Sequence, residues 1–211
     1  MLAVAAMAVA QTSNQTKMTD EKLELTLEWD KTFPESDKVN HTKVTFHNRY
    51  GVTLAADLYT PKNATGRLAA IAVSGPFGAV KEQASGLYAQ TLAEMGFITL
   101  AFDPSFTGES GGTPRYVASP DINTEDFSAA VDYLSTRDDV DPERIGILGI
   151  CGFGGFAINA AANDTRIKAT VASTMYDISR CTANGYFDAN DNADARYEMR
   201  RQLNAQRTED Y

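Results

Sequence analysis

The chain has 211 residues, of which 43% are hydrophobic and 22% are charged. These proportions are typical of a globular protein and are sufficient for one domain with a hydrophobic core. Acidic residues outnumber basic ones by 28 to 19, the formal net charge is -9, and no run of lysine and arginine stands out. We therefore expect neither a nucleic acid nor an anionic membrane surface as a partner.

The first ten residues are apolar and end in the small-x-small pattern Ala8-Val9-Ala10. This pattern predicts residues 1–10 as a signal peptide, so that the mature chain begins near Gln11 and is periplasmic or secreted. The stretch is too short to span a bilayer. No basic residue precedes Lys17, which leaves open the alternative of an apolar N-terminus on a protein that is not exported.

Residues 39–180 show the alternation of strands and helices that predicts an α/β core, a mostly parallel sheet with helices on both faces. A polar segment with a leading strand, residues 11–38, is expected before it. The expected strands are 43–47 and 53–59, paired as a hairpin, followed by 68–74, 97–102, 145–150 and 167–174. The expected helices are 84–95, a helix capped by Asn123 or Thr124, the helix after the strand 145–150, and 193–206.

The most informative segment is residues 145–162, a short buried strand that runs into a sharp turn and then an apolar helix. Cys151 lies at the turn. Gly149 and Gly152 flank it and allow the strained backbone that raises one side chain beside a helix N-terminus. Since a thiol in this position is activated by the helix dipole and by a nearby base, the pattern predicts Cys151 as a nucleophile for acyl transfer.

Two alternatives for this turn remain open. The usual motif is G-x-nucleophile-x-G, but Phe153 occupies its last position, and a register with Gly152 at the tip would leave no nucleophile. In an oxidising compartment Cys151 could instead form a disulfide with Cys181. We favour a free Cys151 at the tip, because only this register places Gly149 two residues earlier and because the turn is built for exposure to a site.

Four segments, taken together and in this order, resemble the dienelactone-hydrolase-like branch of the α/β-hydrolases. They are GPFGAVKEQ (75–83), FDPSFTGESGG (102–112), DINTEDF (121–127) and GICGFGG (149–155). The resemblance implies the α/β-hydrolase fold with a cap inserted after the sixth strand, so that residues 181–211 are expected to begin the cap. It also implies Cys151 as the nucleophile, with the backbone N–H groups of Gly152 and Phe77 as the oxyanion donors.

Further residues near these motifs carry weaker expectations. Gly78 is expected to keep the oxyanion loop able to approach the nucleophile. Asp103 and Ser110 belong to a long loop in which they either touch the substrate or staple the loop by hydrogen bonds. Lys81 and Glu82 are expected to form a solvated ion pair.

The catalytic triad is incomplete in this sequence. In this fold the order is nucleophile, acid, histidine, yet the two histidines, His41 and His47, precede Cys151, and Asp177 is the only later carboxylate at a strand end. The sequence thus predicts a hydrolase of small esters, lactones or thioesters whose acid and histidine lie around or beyond Tyr211. The alternative is a truncated or degenerate hydrolase that acts at most as a binding module. No metal-ligand spacing or dinucleotide motif occurs, so we expect no metal and no cofactor.

Overall fold

The computed structural model describes residues 21–211, and the expected signal peptide at residues 1–10 lies outside the described residues. The strands are β1 (Val39–His47), β2 (Thr53–Pro61), β3 (Leu68–Ser74), β4 (Ile98–Phe102), β5 (Val140–Ile150) and β6 (Ile167–Ser173). The helices are α1 (Ala84–Glu94), α2 (Pro120–Ser135), α3 (Gly152–Asn163), α4 (Ile178–Asn184) and α5 (Ala193–Asp210). No helix within residues 21–211 is both long enough and apolar enough to cross a bilayer.

The strands form one mixed sheet in the order β1-β2-β4-β3-β5-β6. The last four strands in this order are parallel, whereas β1 and β2 form an antiparallel hairpin beside β4. The register pairs Ser74 with Gly149 and Ile150 with Ser173. The carboxyl ends of β3, β5 and β6 therefore lie side by side, so that the loops following them meet at one edge of the sheet.

Helices cover both faces of the sheet, which confirms the predicted fold class. On one face, α2 and α3 bury Phe127 and Phe156 against Phe102 of β4 and the neighbouring strands. On the other face, α1 packs Ala89 and Ala93 against the sheet. The alternation of apolar strands and helices in the sequence is the cause of this layering, because each element must bury one apolar face.

The leading strand expected before β1 is not formed in residues 21–38, which have no regular structure, and residues 33–36 lie against α1. The ring of Phe33 packs so closely on Gly86 that a Cβ there would lie 3.0 Å from a ring atom. The Gln90 side chain donates to the carbonyl of Pro34 at 3.0 Å and accepts from the N–H of Ser36 at 3.2 Å. The Gln90 side chain thus supplies the hydrogen bonds of the backbone at Pro34 and Ser36, and proline has no N–H to pair. This part of the chain therefore does not need a neighbouring strand.

The structure also corrects the start of α2. Its N-cap is Ser119, whose hydroxyl accepts from the N–H of Ile122 at 3.4 Å, rather than Asn123 or Thr124. Pro120 occupies the first helical position. Proline is tolerated there because a backbone N–H at this position forms no intrahelical hydrogen bond. The side chain of Asn123 accepts from the Ser119 N–H at 2.9 Å, so it closes the cap from inside the helix.

Candidate active site

Cys151 forms the turn between β5 and α3, with φ 57° and ψ -124°. Its N–H donates to the carbonyl of Ser173 at 2.9 Å, and its own carbonyl accepts from Gly154 at 3.0 Å. A positive φ in a non-glycine residue is strained by about 1–3 kcal/mol and persists only where the surroundings impose it. The structure thus places Cys151, and not Gly152, at the tip of a strained strand-to-helix turn.

The close packing of this turn explains how Phe153 replaces the usual glycine. A Cβ on Gly149 would lie 2.2 Å from the carbonyl oxygen of Phe153, so helix and strand touch there as the motif requires. The Phe153 side chain turns into the core and is only 2% exposed. Room for it comes from Gly75, where a Cβ would lie 2.8 Å from the Phe153 Cβ and where φ is 97°. The missing glycine of the motif is therefore compensated by one in the neighbouring loop.

The loop after β3 brings Phe77 to the N-terminus of α3. A Cβ on Gly152 would come within 2.0 Å of the Phe77 ring, and the same ring packs against Phe156 with centroids 5.6 Å apart. Within the described part of the chain, no recorded hydrogen bond uses the backbone N–H of Phe77 or of Gly152. Gly78 has φ 72°, but a Cβ there would meet nothing within 4 Å. Glycine at position 78 therefore allows the positive φ of the loop. It is not needed for the close approach of the loop to the nucleophile that we expected from the sequence.

A buried ion cluster fixes the far end of this loop. The Lys81 N–H donates to Asp103 Oδ1 at 2.7 Å and its ammonium group donates to Asp103 Oδ2 at 2.9 Å. The same ammonium group pairs with Glu82 at 2.6 Å and Glu109 at 2.7 Å. Burial alone would lower the pKa of Lys81, but the three carboxylates raise it above its usual range, so Lys81 is charged. The expectation of a solvated pair was wrong, because the Lys81 side chain is fully buried.

Asp103 and Ser110 are both buried and hold their own loop. Asp103 also accepts from the N–H of Glu109 at 2.9 Å. The Ser110 hydroxyl donates to the Asp103 carbonyl at 2.7 Å and accepts from the N–H of Ala55 at 2.8 Å. These contacts match the alternative in which the two residues hold the loop together by hydrogen bonds. Both side chains are buried and do not face a substrate site.

Carboxylate oxygens of Asp30, Glu82 and Glu109 lie within 4.8 Å of one another, which is the spacing of a metal site. Lysines already supply positive charge there, since Lys81 pairs with Glu82 and Lys43 pairs with Glu109 at 2.7 Å. The cluster is therefore accounted for as an ion-pair network.

The two histidines lie far from Cys151. Both are on β1, and three strands separate β1 from β5, which puts the two strands about 19 Å apart at the usual spacing. His41 Nε2 lies 2.7 Å from Asp57 Oδ1, a carboxylate that also pairs with Lys31 at 3.0 Å. Neither histidine can serve as the base for this thiol, because proton transfer requires direct or water-bridged contact.

Tyr176 was not predicted from the sequence, but its side chain lies close enough to Cys151 for the two groups to interact electrostatically. A negative charge on Cys151 would raise the pKa of Tyr176, and the neighbouring Tyr186 acts in the same direction. The two tyrosine rings are 6.0 Å apart. The signal that could have indicated Tyr176 is its position just after β6. Ser173 of β6 pairs with Ile150 of β5, so the residues that follow these two strands lie near each other.

Asp177 and Cys181 belong to α4, a helix that was not predicted. The Asp177 carboxylate caps that helix, accepting from the N–H of Arg180 at 2.9 Å and from the hydroxyl of Ser179 at 2.6 Å. Cys151 and Cys181 are both free thiols in the structure. The disulfide alternative is therefore not the arrangement observed.

A cavity of about 720 Å³ opens beside the turn, and we call it the elbow cavity. It lies between α3, the segment 175–183 and α5. Gly152 lines the end nearest Cys151, and apolar side chains form most of the wall. A cavity of this size and character is typical of small-molecule sites.

Comparison with known proteins identifies related chains. The family model of X-Pro dipeptidyl-peptidases (S15 family) matches residues 50–210. An uncharacterized protein of Pseudomonas aeruginosa is 68% identical over 181 residues, which are 85% of this chain and 49% of that protein. A thiohydrolase of Aspergillus aculeatus is 33% identical over 138 residues, 65% of this chain and 42% of that protein. The chain thus spans about half the length of these relatives.

Solved structures agree with the fold. The crystal structure of a hypothetical protein from Pseudomonas aeruginosa has a TM-score of 0.88 and 64% identity, covering 90% of this chain and 60% of that chain. A Klebsiella pneumoniae protein described as a dienelactone hydrolase has a TM-score of 0.55 and 23% identity, covering 65% of this chain and 60% of that one. The crystal structure of the α/β-hydrolase GrgF from Penicillium sp. sh18 has a TM-score of 0.59 and 28% identity, covering 62% of this chain and 44% of that one. These likenesses confirm the α/β-hydrolase fold.

Proposed function

Because this chain belongs to the X-Pro dipeptidyl-peptidase (S15) family of α/β-hydrolases, we propose that it carries the nucleophile of a hydrolase that acts through Cys151. The substrate class is a small ester, lactone or thioester. The observation that carries the proposal is the strained turn at Cys151, with φ 57° at the N-terminus of α3. This turn presents a thiol at a helix N-terminus, a position that reactive cysteines often occupy.

The proposed reaction begins when the Cys151 thiolate attacks the acyl carbon. The negative charge that develops on the carbonyl oxygen is stabilised by the N–H groups of Gly152 and Phe77. Such donors contribute about 2.7–4 kcal/mol each to the transition state in known hydrolases. Collapse of the intermediate expels an alkoxide or a thiolate and leaves an acyl group on the Cys151 sulfur. Water then attacks this thioester, which releases the acid and restores the thiol.

The second half of this reaction needs a base to activate water. No histidine follows Cys151 in the 211 residues, and the chain spans 49% of the Pseudomonas relative. We propose that sequence continuing after Tyr211 in the full-length protein supplies the acid and the histidine. Without them, the thiol should accept one acyl group and retain it.

Leaving-group chemistry favours a thioester or an activated ester over a peptide. A thiolate or a phenolate leaves without a proton, whereas an amine must be protonated by a general acid before it can depart. The relative described as a thiohydrolase supports the same substrate class. An X-Pro amide substrate should therefore leave the 211-residue chain unmodified.

The test is acylation of the purified chain by p-nitrophenyl acetate. We expect one p-nitrophenol per chain, negligible steady turnover, and one acetyl group on Cys151 by peptide mass spectrometry. Cys151→Ala should abolish the adduct, and Cys181→Ala should retain it. A chain extended through the missing acid and histidine should turn over continuously.

Two results would contradict this proposal. Continuous turnover by the short chain, lost in Cys151→Ala, would mean that a base within these residues has been missed. Absence of any adduct on Cys151 would favour the alternative of a non-catalytic binding module.

We also propose export to the periplasm or the medium, supported by the apolar residues 1–10. N-terminal sequencing of the chain from a periplasmic fraction should find Gln11 first. Retention of Met1 in a chain confined to the cytoplasm would refute it.

A further inference from the structure

We propose that the elbow cavity binds apolar acyl chains that end in a carboxylate, with Arg200 as the residue that binds this carboxylate. The inference rests on the proposed function of Cys151, and it specifies the substrate class of that site.

The wall of the cavity is suited to a hydrocarbon chain. Its apolar lining comes from three elements, and its larger members are Phe156, Ile158, Met175, Ile178, Met199 and Leu203. Gly152, the residue after Cys151, lines the same cavity, so the cavity lies beside the residue that would carry the acyl group. The volume of about 720 Å³ falls within the usual range of small-ligand sites.

Three charged residues line the cavity, and two of them are engaged elsewhere. Asp177 caps α4 through the N–H of Arg180. Arg196 pairs with Asp191 at 2.5 Å and donates to Asn184 at 3.1 Å. Arg200 is exposed, and within residues 21–211 no ion pair or hydrogen bond engages its guanidinium group. The lining of the cavity therefore includes one guanidinium group without a partner in the described chain, although the chain as a whole has a net charge of -9.

The sequence of α5 places this guanidinium group next to the apolar wall. Positions 196, 199, 200 and 203 are spaced i, i+3, i+4 and i+7, which is one face of a helix, and all four line the cavity. Met199 and Leu203 on this face are 47% and 62% exposed. An apolar face with an unpaired guanidinium group matches an amphiphile whose carboxylate meets Arg200 in a charge-assisted hydrogen bond.

The test compares two p-nitrophenyl esters of equal acyl length, mono-p-nitrophenyl suberate, which bears a terminal carboxylate, and p-nitrophenyl octanoate, which does not. We expect the suberate ester to acylate Cys151 about tenfold faster, because its terminal carboxylate can accept a charge-assisted hydrogen bond from Arg200. Arg200→Gln should remove the preference. Arg201→Gln is the matched control and should keep it, because Arg201 pairs with Glu198 at 2.8 Å.

Equal rates with the two esters in the original chain, or a preference that survives in Arg200→Gln, would overturn the inference. Failure of the inference is distinguishable from failure of the proposed function, since p-nitrophenyl acetate reports on Cys151 alone. If no ester acylates Cys151, calorimetric titration with octanoate decides the question. Octanoate binding that weakens about tenfold in Arg200→Gln would support the site, and absence of binding would refute it.

Discussion

The ring of Phe77 lies directly on the Cα of Gly152, so closely that a Cβ on Gly152 would come within 2.0 Å of it. These two residues also provide the two proposed oxyanion donors. The contact joins the loop after β3 to the first turn of α3. A glycine at position 152 is therefore needed for the Phe77 ring to take this place beside the turn.

We expect Gly152→Ala to displace Phe77, to lower the free energy of unfolding by about 1–3 kcal/mol as an overpacked site does, and to slow acylation of Cys151. Urea denaturation and the p-nitrophenyl acetate reaction measure the two effects. Gly155→Ala is the matched control for stability, because a Cβ there meets nothing within 4 Å. It should be neutral or more stable by up to about 1 kcal/mol. Equal stability and reactivity in Gly152→Ala would contradict the close contact.

The sequence predicted the turn well because its determinants are local. β3 occupies residues 68–74 as expected, since a continuous apolar run ends there at glycine and proline. Cys151 lies at the tip because glycines two residues before and one after permit the strained backbone. Patterns within a few residues are sufficient for such features.

Features formed between distant segments were not predicted. Two of the three carboxylate partners of Lys81 stand 22 and 28 residues away, so its burial could not be inferred from its neighbours in sequence. The contact of Tyr176 with Cys151 depends likewise on the pairing of β5 with β6. The helix α4 was missed because its seven residues, Ile178–Asn184, contain too few apolar positions to show a helical period.

Tyr176→Phe should change the reactivity of Cys151 towards iodoacetamide. The Tyr176 side chain interacts electrostatically with Cys151, so removal of its polar hydroxyl should lower the rate of alkylation at neutral pH. Tyr197→Phe is the control, because Tyr197 lies on α5 and is 65% exposed. Identical alkylation rates for the original chain and Tyr176→Phe would show that the hydroxyl does not influence the reactivity of Cys151.

Lys81→Met should be strongly destabilising, because it leaves the carboxylates of Asp103, Glu82 and Glu109 close together without the ammonium group. Breaking a buried ion pair by removing one partner typically lowers the free energy of unfolding by about 3–5 kcal/mol. In contrast, Lys168→Met removes a partly exposed ion pair with Glu143, and it should change the free energy of unfolding by less than about 1 kcal/mol. A loss below about 1 kcal/mol in Lys81→Met, measured by urea denaturation, would contradict a structural role for the cluster.

Glu109 should make part of the stability depend on pH. Burial alone would raise the pKa of Glu109, but hydrogen bonds from Lys43 and Lys81 outweigh it and lower the pKa from 4.5 to about 2. Since the folded pKa is the lower one, the stabilisation is present above the unfolded pKa and is lost as the pH falls towards 2. Because solvent partly screens the group, we expect about 1–2 kcal/mol at neutral pH.

The measurement is the free energy of unfolding of the original chain and of Glu109→Gln between pH 7 and pH 2.5. Above about pH 5 the original chain should be more stable than Glu109→Gln. The difference in their free energies of unfolding should shrink as the pH falls, because a protonated Glu109 is uncharged like glutamine. Glu143→Gln is the control, since the Glu143 side chain is 80% exposed and should show almost no difference at any pH. A difference for Glu109→Gln that stayed constant down to pH 2.5 would mean that the ion pairs of Glu109 do not lower its pKa in the folded chain.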